Sequence, residues 1–228
     1  MTKIIVSYDD TNNDRDALAL GRVLSAGGAD LALAYVRHDT DSQRGHEELR
    51  SDEARELLEQ GARQLGDMTV GRHVVTDAST AAGLRALIEA EHADVIVFGS
   101  EYRTANGRIG LGTTARALLN NGPAAVAIAP AGMREATHHI GRIGVLGDDD
   151  ARATAQALAA VSGGTVVDGD GEVDLLVVSS RPETVQGRTL LSAAAEYAVE
   201  TARCPVIALP HGVRLTFAAG STAVQQEA

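Results

Sequence analysis

The chain is 228 residues long, enough for one large core or two modest ones, and with no Trp, four Tyr and two Phe that core must be built from Val, Leu, Ile and Ala. A formal net charge of −11 argues against a general binder of nucleic-acid backbone or anionic membrane, since both need concentrated Lys and Arg; a small anionic ligand held by a local turn stays compatible. The single cysteine, Cys204, excludes an intrachain disulfide and a multi-cysteine metal site, and MTKIIVSYDD is too short and polar for a signal peptide, so the reading is a soluble cytoplasmic protein.

Short apolar runs alternate with longer helical patterns. Lys3 to Ser7 is an apolar run typical of a buried parallel strand. Asp14 to Ser25 follows as a helix with Ala17, Leu18, Leu20, Val23 and Leu24 inward, stopped by Gly27 and Gly28. Leu31 to Val36 is the second strand, and Glu47 to Leu65 a helix with Leu57, Leu58, Ala62 and Leu65 at helical spacing. Then come a strand at Arg72 to Thr76, a helix at Thr80 to Glu91, a strand at Asp94 to Gly99, a helix at Thr113 to Asn120 and a strand at Val126 to Ala129. Strands alternating with helices imply right-handed crossovers and a mostly parallel sheet covered on both faces.

The segment from Ala93 to Pro130 returns eighty positions later as Val173 to Pro210 without a gap. Identical pairs run along it: Asp94 with Asp174, Ser100 with Ser180, Thr104 with Thr184, Gly107 with Gly187, Arg108 with Arg188 and Pro130 with Pro210. Gly99, Gly110 and Gly112 become Ser179, Leu190 and Ser192. The second copy opens at Arg142, where RIGVLGDDD matches KIIVSYDD at an offset of 139, so 59 residues are missing between its first strand and its fourth-strand equivalent, enough for a helix, a strand and another helix. The expected organisation is a first domain over 1–131, a linker from Ala131 to Gly141, a truncated second domain over 142–211 and a flexible tail over 212–228. The two halves are expected to join through their last strands, Val126 to Ala129 and Val206 to Leu209, as an intrachain pseudo-dimer that leaves homo-oligomers open.

The chemistry concentrates where the fourth strand meets the fourth helix. Gly99, Gly107, Gly110 and Gly112 lead into a helix that starts near Thr113; glycines let backbone N–H groups approach a ligand without a Cβ in the way. Thr113 and Thr114 offer hydroxyls, and Arg103 or Arg108 can lie over an anion. A loop that merely turns the chain reads the same glycines equally well, but the carboxyl end of a parallel strand is where ligands of open α/β sheets bind.

From Lys3 to Pro210 the chain resembles the universal stress protein family in tandem form. Its ATP-binding members carry Gly, two residues, Gly, nine residues, Gly and then Ser or Thr; here that spacing falls on Gly99, Tyr102, Gly112 and Thr113. The resemblance implies two halves of the adenine nucleotide alpha hydrolase-like fold, with Asp9 and Val36 placed at adenine and ribose and Ser7 and Tyr8 lining the same crevice. It implies ATP or another adenine nucleotide as ligand, Mg²⁺ as its optional companion, and a second half, with Ser179, Pro182, Ser192 and Ala193 at the matching places, that does not bind. No Ser, His and acid arrangement rises above background, and His138 and His139 lack further metal ligands of evident spacing. The expected role is ligand sensing or sequestering in a stress response. A module acting through protein association is the alternative, and a slow ATPase or nucleotidyl-transfer enzyme is the third reading.

Overall fold

In a computed structural model, which describes residues 2–38, 47–135 and 137–217, the elements follow one another as strands and helices in the expected alternation. They are β1 (Lys3–Ser7), α1 (Asn12–Ser25), β2 (Asp30–His38), α2 (Glu47–Leu65), β3 (Gly71–Asp77), α3 (Thr80–Glu91), β4 (Val95–Phe98), α4 (Thr113–Leu119) and β5 (Ala125–Ile128), then β6 (Arg142–Leu146), α5 (Asp149–Ser162), β7 (Thr165–Asp168), β8 (Leu175–Ser179), α6 (Ala193–Thr201) and β9 (Val206–Leu209). The helix starts have local causes. Thr11 and Asp14 form a capping box on α1, and Asp148 caps α5 by accepting from the N–H groups of Asp150 and Ala151.

One sheet runs in the order β3-β2-β1-β4-β5-β9-β8-β6-β7. Every described pairing is parallel except the central one, where β5 and β9 run antiparallel with Ala127 opposite Ile207. The order on one side of that junction, β2-β1-β4-β5, returns on the other as β7-β6-β8-β9, and the expected joining of Val126 to Ala129 with Val206 to Leu209 is the observed one. Alternation along the strands splits the core. Val6, Leu20, Leu24, Leu58, Ile143 and Leu158 pack under α1, α2 and α5, whereas Ile5, Leu84, Ile88, Leu118, Val178 and Val199 pack under α3, α4 and α6. Among the described residues no helix is long and apolar enough to cross a membrane.

The second half replaces a strand and two helices with a short crossover. After β7 the chain turns back at Gly169, whose N–H donates to Val145 O, and crosses directly over β6 to start β8. The crossing needs a glycine beneath it: a Cβ on Gly144 would stand 2.5 Å from Gly169 O and 3.1 Å from the Leu176 side chain. At an offset of 139, Gly144 matches Ile5, which in the first half is buried on the α3 side.

Over their described residues, the segments expected as linker and tail are packed straps. Gly107 N–H donates to Ala131 O and Ala131 N–H to Arg108 O; Gly187 with His211 and His211 with Arg188 repeat both bonds. A 3-10 turn over Met133–Glu135 buries Met133, and Arg134 reaches Asp16 on α1. On the other side Leu215 is 2 % exposed and its N–H donates to Thr154 Oγ1 on α5. The expectation of a free tail from 212 is therefore corrected for the described part, up to Phe217: its apolar Leu215 and Phe217 join the core and hold it down. The sequence carries the signal, since Gly132 with Gly212 and Arg134 with Arg214 continue the eighty-residue offset past Pro130 and Pro210.

Candidate functional site

The loop between β4 and α4 is shaped by residues that both halves share. Ser100 Oγ donates to Ala129 O at 2.7 Å and accepts from Gly110 N–H at 3.2 Å; Ser180 Oγ does the same with Leu209 O at 2.6 Å and Leu190 N–H at 3.0 Å. Glu101 N–H donates to Gly110 O and Arg181 N–H to Leu190 O. Gly107 and Gly187 turn with φ +71° and +74°, a region that favours glycine. The two loops therefore share one hydrogen-bond plan, with a backbone difference at Arg103, whose φ of +72° has no counterpart at Glu183.

The three glycines particular to the first half have different causes. At Gly99 a Cβ would overlap the backbone carbonyl of Asn13, so this glycine lets the start of α1 approach the end of β4. At Gly110 a Cβ would overlap Thr104 Oγ1, which donates to Glu101 O. At Gly112 a Cβ would meet nothing within 4 Å, although its φ of −68° suits any residue. Gly112 is the N-cap of α4 and makes no side-chain cap, so no protein group requires the missing Cβ or occupies its space.

The same positions in the second half are closed. Ser192 caps α6 by accepting from Ala195 N–H at 3.1 Å, and Ser179 Oγ accepts from Asp148 N–H at 3.2 Å across the ends of β6 and β8. A different close approach is made here, between the ends of β6 and β8, where a Cβ on Gly147 would overlap Ser179 Oγ.

At the end of β1 the acidic residues have divided roles. Asp14 Oδ2 accepts from Asp9 N–H at 2.9 Å, Thr11 N–H at 2.9 Å and Thr11 Oγ1 at 2.8 Å, which fixes the chain where it leaves the strand. Asp10, at φ +53°, accepts from Tyr8 Oη at 2.8 Å and Gln60 Nε2 at 2.9 Å, so both its oxygens serve the fold. Asp9 is exposed and its carboxylate has no described partner; partial burial first, then the neighbouring Asp14, push its pKa above the usual range. Asp9 is thus the one carboxylate of the three that faces outward.

The expected site residues separate accordingly. Ser7 ends β1 half-buried, and Asp9 stands just beyond it. The expectation that the Tyr8 side chain lines the crevice is corrected: it is 1 % exposed, its ring lies against Gly61 of α2, and burial followed by the Asp10 hydrogen bond pushes its phenol well above the ordinary value. Val36 is buried in β2 with its side chain against Gly83 of α3, so only its backbone is left for a ligand. Tyr102 is 77 % exposed, with the Arg103 guanidinium 5.3 Å from its ring centroid and Arg103 held at φ +72°. Thr113 and Thr114 open α4, the first exposed and the second half-buried. Asn13, Asp14, Ser100 and Thr104 also shape this site, and the T-N-N-D run and the Ser and Thr identities of the repeat are their signals in the sequence.

Because Tyr102 projects into solvent, Tyr102→Gly is expected to change stability by less than about 0.5 kcal/mol and, if the expected ATP site is present, to keep or raise affinity for it. Titration calorimetry with a melting curve checks both. A loss of affinity would make the Tyr102 ring a stacking contact.

Elsewhere the chemistry is quiet. Cys204 is buried, and desolvation pushes its thiol up to about 11, so it behaves as a small apolar residue. Among the described residues no group of three or more His, Cys, Asp or Glu is placed to hold a metal.

An open, mostly parallel α/β sheet with a glycine loop at the carboxyl end of β4 belongs to a class of folds whose ligands bind beyond the carboxyl ends of the strands. Within that class the chain belongs to the Universal stress protein family, whose sequence profile matches residues 1–130. In fold it is similar to a universal stress protein from Archaeoglobus fulgidus DSM 4304, at 14% identity over 92% of this chain and 98% of that one, with a TM-score of 0.70. It is also similar to a functionally unknown protein from Pseudomonas aeruginosa PAO1, at 16% identity over 92% and 93% of the two chains and a TM-score of 0.60. A putative universal stress protein from Pseudomonas aeruginosa UCBPP-PA14 gives 18% identity, the same coverages and 0.58. Comparison with curated proteins gives no match.

Proposed function

We propose that this universal stress protein binds an adenine nucleotide in the crevice of its first half and acts in the stress response by sensing or sequestering it, without committed turnover. The observation that carries the reading is the contrast between Gly112 and Ser192: one helix start stays uncapped and open, while its counterpart is closed by its own side chain. In the proposed arrangement the phosphates lie against Gly112, Thr113 and Thr114, with Arg103 within reach, and the base and ribose lie between Asp9 and the backbone of Val36. Gly99 and Gly110 shape the loop from behind. If Mg²⁺ accompanies the nucleotide, Asp9 is the carboxylate free to face it, since Asp10 is bound to Tyr8 and Gln60. The second half reads as a reduced copy that supplies a structural partner through β9, and the lone, inert Cys204 suits a reducing cytoplasm.

One nucleotide per chain is the expected stoichiometry. It is measured by equilibrium titration of nucleotide-stripped protein with ATP, ADP, AMP and cyclic AMP, the active fraction being determined separately. Two equivalent sites would contradict the closed second crevice. No saturable binding at millimolar nucleotide would favour a role in protein association, and product accumulating with time would mark an enzyme.

A further inference from the structure

Away from that crevice, and sharing none of its residues, a cleft of about 660 Å³ opens between α1, α5 and the strap after β5. It exists because the two halves meet at the central β5–β9 pair with α1 and α5 to either side, so that straps cover the middle of the sheet. Ala19 and Val23 of α1, Leu158 and Val161 of α5 and Ile140 of the strap give it an apolar wall. At one end Gly27 closes against Val161 and Phe217, where a Cβ would come within 3.1 and 3.3 Å of their side chains.

The charged groups on this wall are Arg22, Arg134 and Glu135, with Asp16 behind Arg134. Arg134 is held by buried Asp16 at 2.9 Å, and Glu135 faces Arg134 and Asn106 at 3.5 Å each. Arg22 has no carboxylate partner among the described residues; its Nη2 donates to the carbonyls of Gln64 and Leu65 at 2.8 Å each, which leaves Nη1 and Nε. A guanidinium beside an apolar wall, inside a chain of net charge −11, is a local positive site.

We propose that this cleft binds a small amphipathic monocarboxylate, its apolar body between Val23, Leu158 and Val161 and its head on the free edge of Arg22. The planar carboxylate matches a guanidinium fork, whereas a phosphate dianion would call for a second free cation and Arg134 is already committed to Asp16. The volume lies in the usual range of small-ligand sites and accommodates an aliphatic chain of about eight carbons.

The test is calorimetric titration of the full chain with octanoate below its micellar concentration, with acetate and octanol as the isolated head and body. Octanoate is expected to saturate at one per chain, with both fragments at least about tenfold weaker. Arg22→Gln and the cleft-filling Val161→Trp should each weaken octanoate at least about tenfold; if the Trp variant does not fold, Ala19→Met fills the cleft from the α1 side. Equal binding of octanol, an unaffected filled variant, or no saturation at millimolar octanoate would overturn the proposal. None of these outcomes depends on whether nucleotide binds.

Discussion

A Gly112→Asp protein is expected to lose at least about 100-fold in nucleotide affinity, near 2.8 kcal/mol, while folding as well as or better than the parent. The two effects have opposite signs because they come from one atom group. The backbone at Gly112, with φ −68° and ψ 164°, is an ordinary extended N-cap that any residue adopts, and nothing stands within 4 Å of the new Cβ. An Asp there accepts from the first turn of α4, as Asp148 does for α5, which stabilises by about a few tenths of a kcal/mol relative to glycine. The same carboxylate occupies the space proposed for phosphate with a like charge. Titration calorimetry beside a thermal melt reads both quantities. Unchanged affinity in a protein of raised stability would move the ligand away from Gly112, and a fall in stability would show that the open space is needed by the fold.

Asp16→Ala is expected to destabilise the protein by about 3 kcal/mol, the low end of the cost of breaking a buried charge pair. Asp16 is fully buried and accepts from Gly132 N–H at 2.9 Å, Arg134 N–H at 2.8 Å and Arg134 Nη1 at 2.9 Å. Alanine leaves those donors without their acceptor. The Arg134 side chain is 30 % exposed, so water recovers part of the loss, which sets the value at the low end. Asp16→Asn retains an acceptor and should lose roughly half as much. Urea denaturation with all three proteins decides it; a loss under about 1 kcal/mol for the alanine variant would show that buried Met133 and the Ala131 backbone bonds anchor the strap without Asp16.

What is local or repeated can be read from the order of residues alone. Periodicity identified every strand and helix of the first half, because a pattern of apolar spacing needs only neighbours in the chain to be read. The ungapped repeat also located the β5–β9 junction, since two copies of one edge strand have one way to protect each other. The glycine loop was legible as a loop, but its three glycines looked alike.

Tertiary structure alone told them apart. Gly99 answers to Asn13, 86 positions earlier, Gly110 to a Thr104 side chain turned inward, and Gly112 to no protein atom. In the same way it turned Tyr8 into the core beside Gly61, bound Asp10 to Gln60, and paired Asp16 with Arg134. Apart from Gly110 with Thr104 and the open Gly112, these are contacts between residues far apart in sequence, settled by how closely packed elements approach. Side-chain identity along a single strand carries no record of that distance, so the glycine loop could be placed from the sequence while which of its residues the fold itself needs could not.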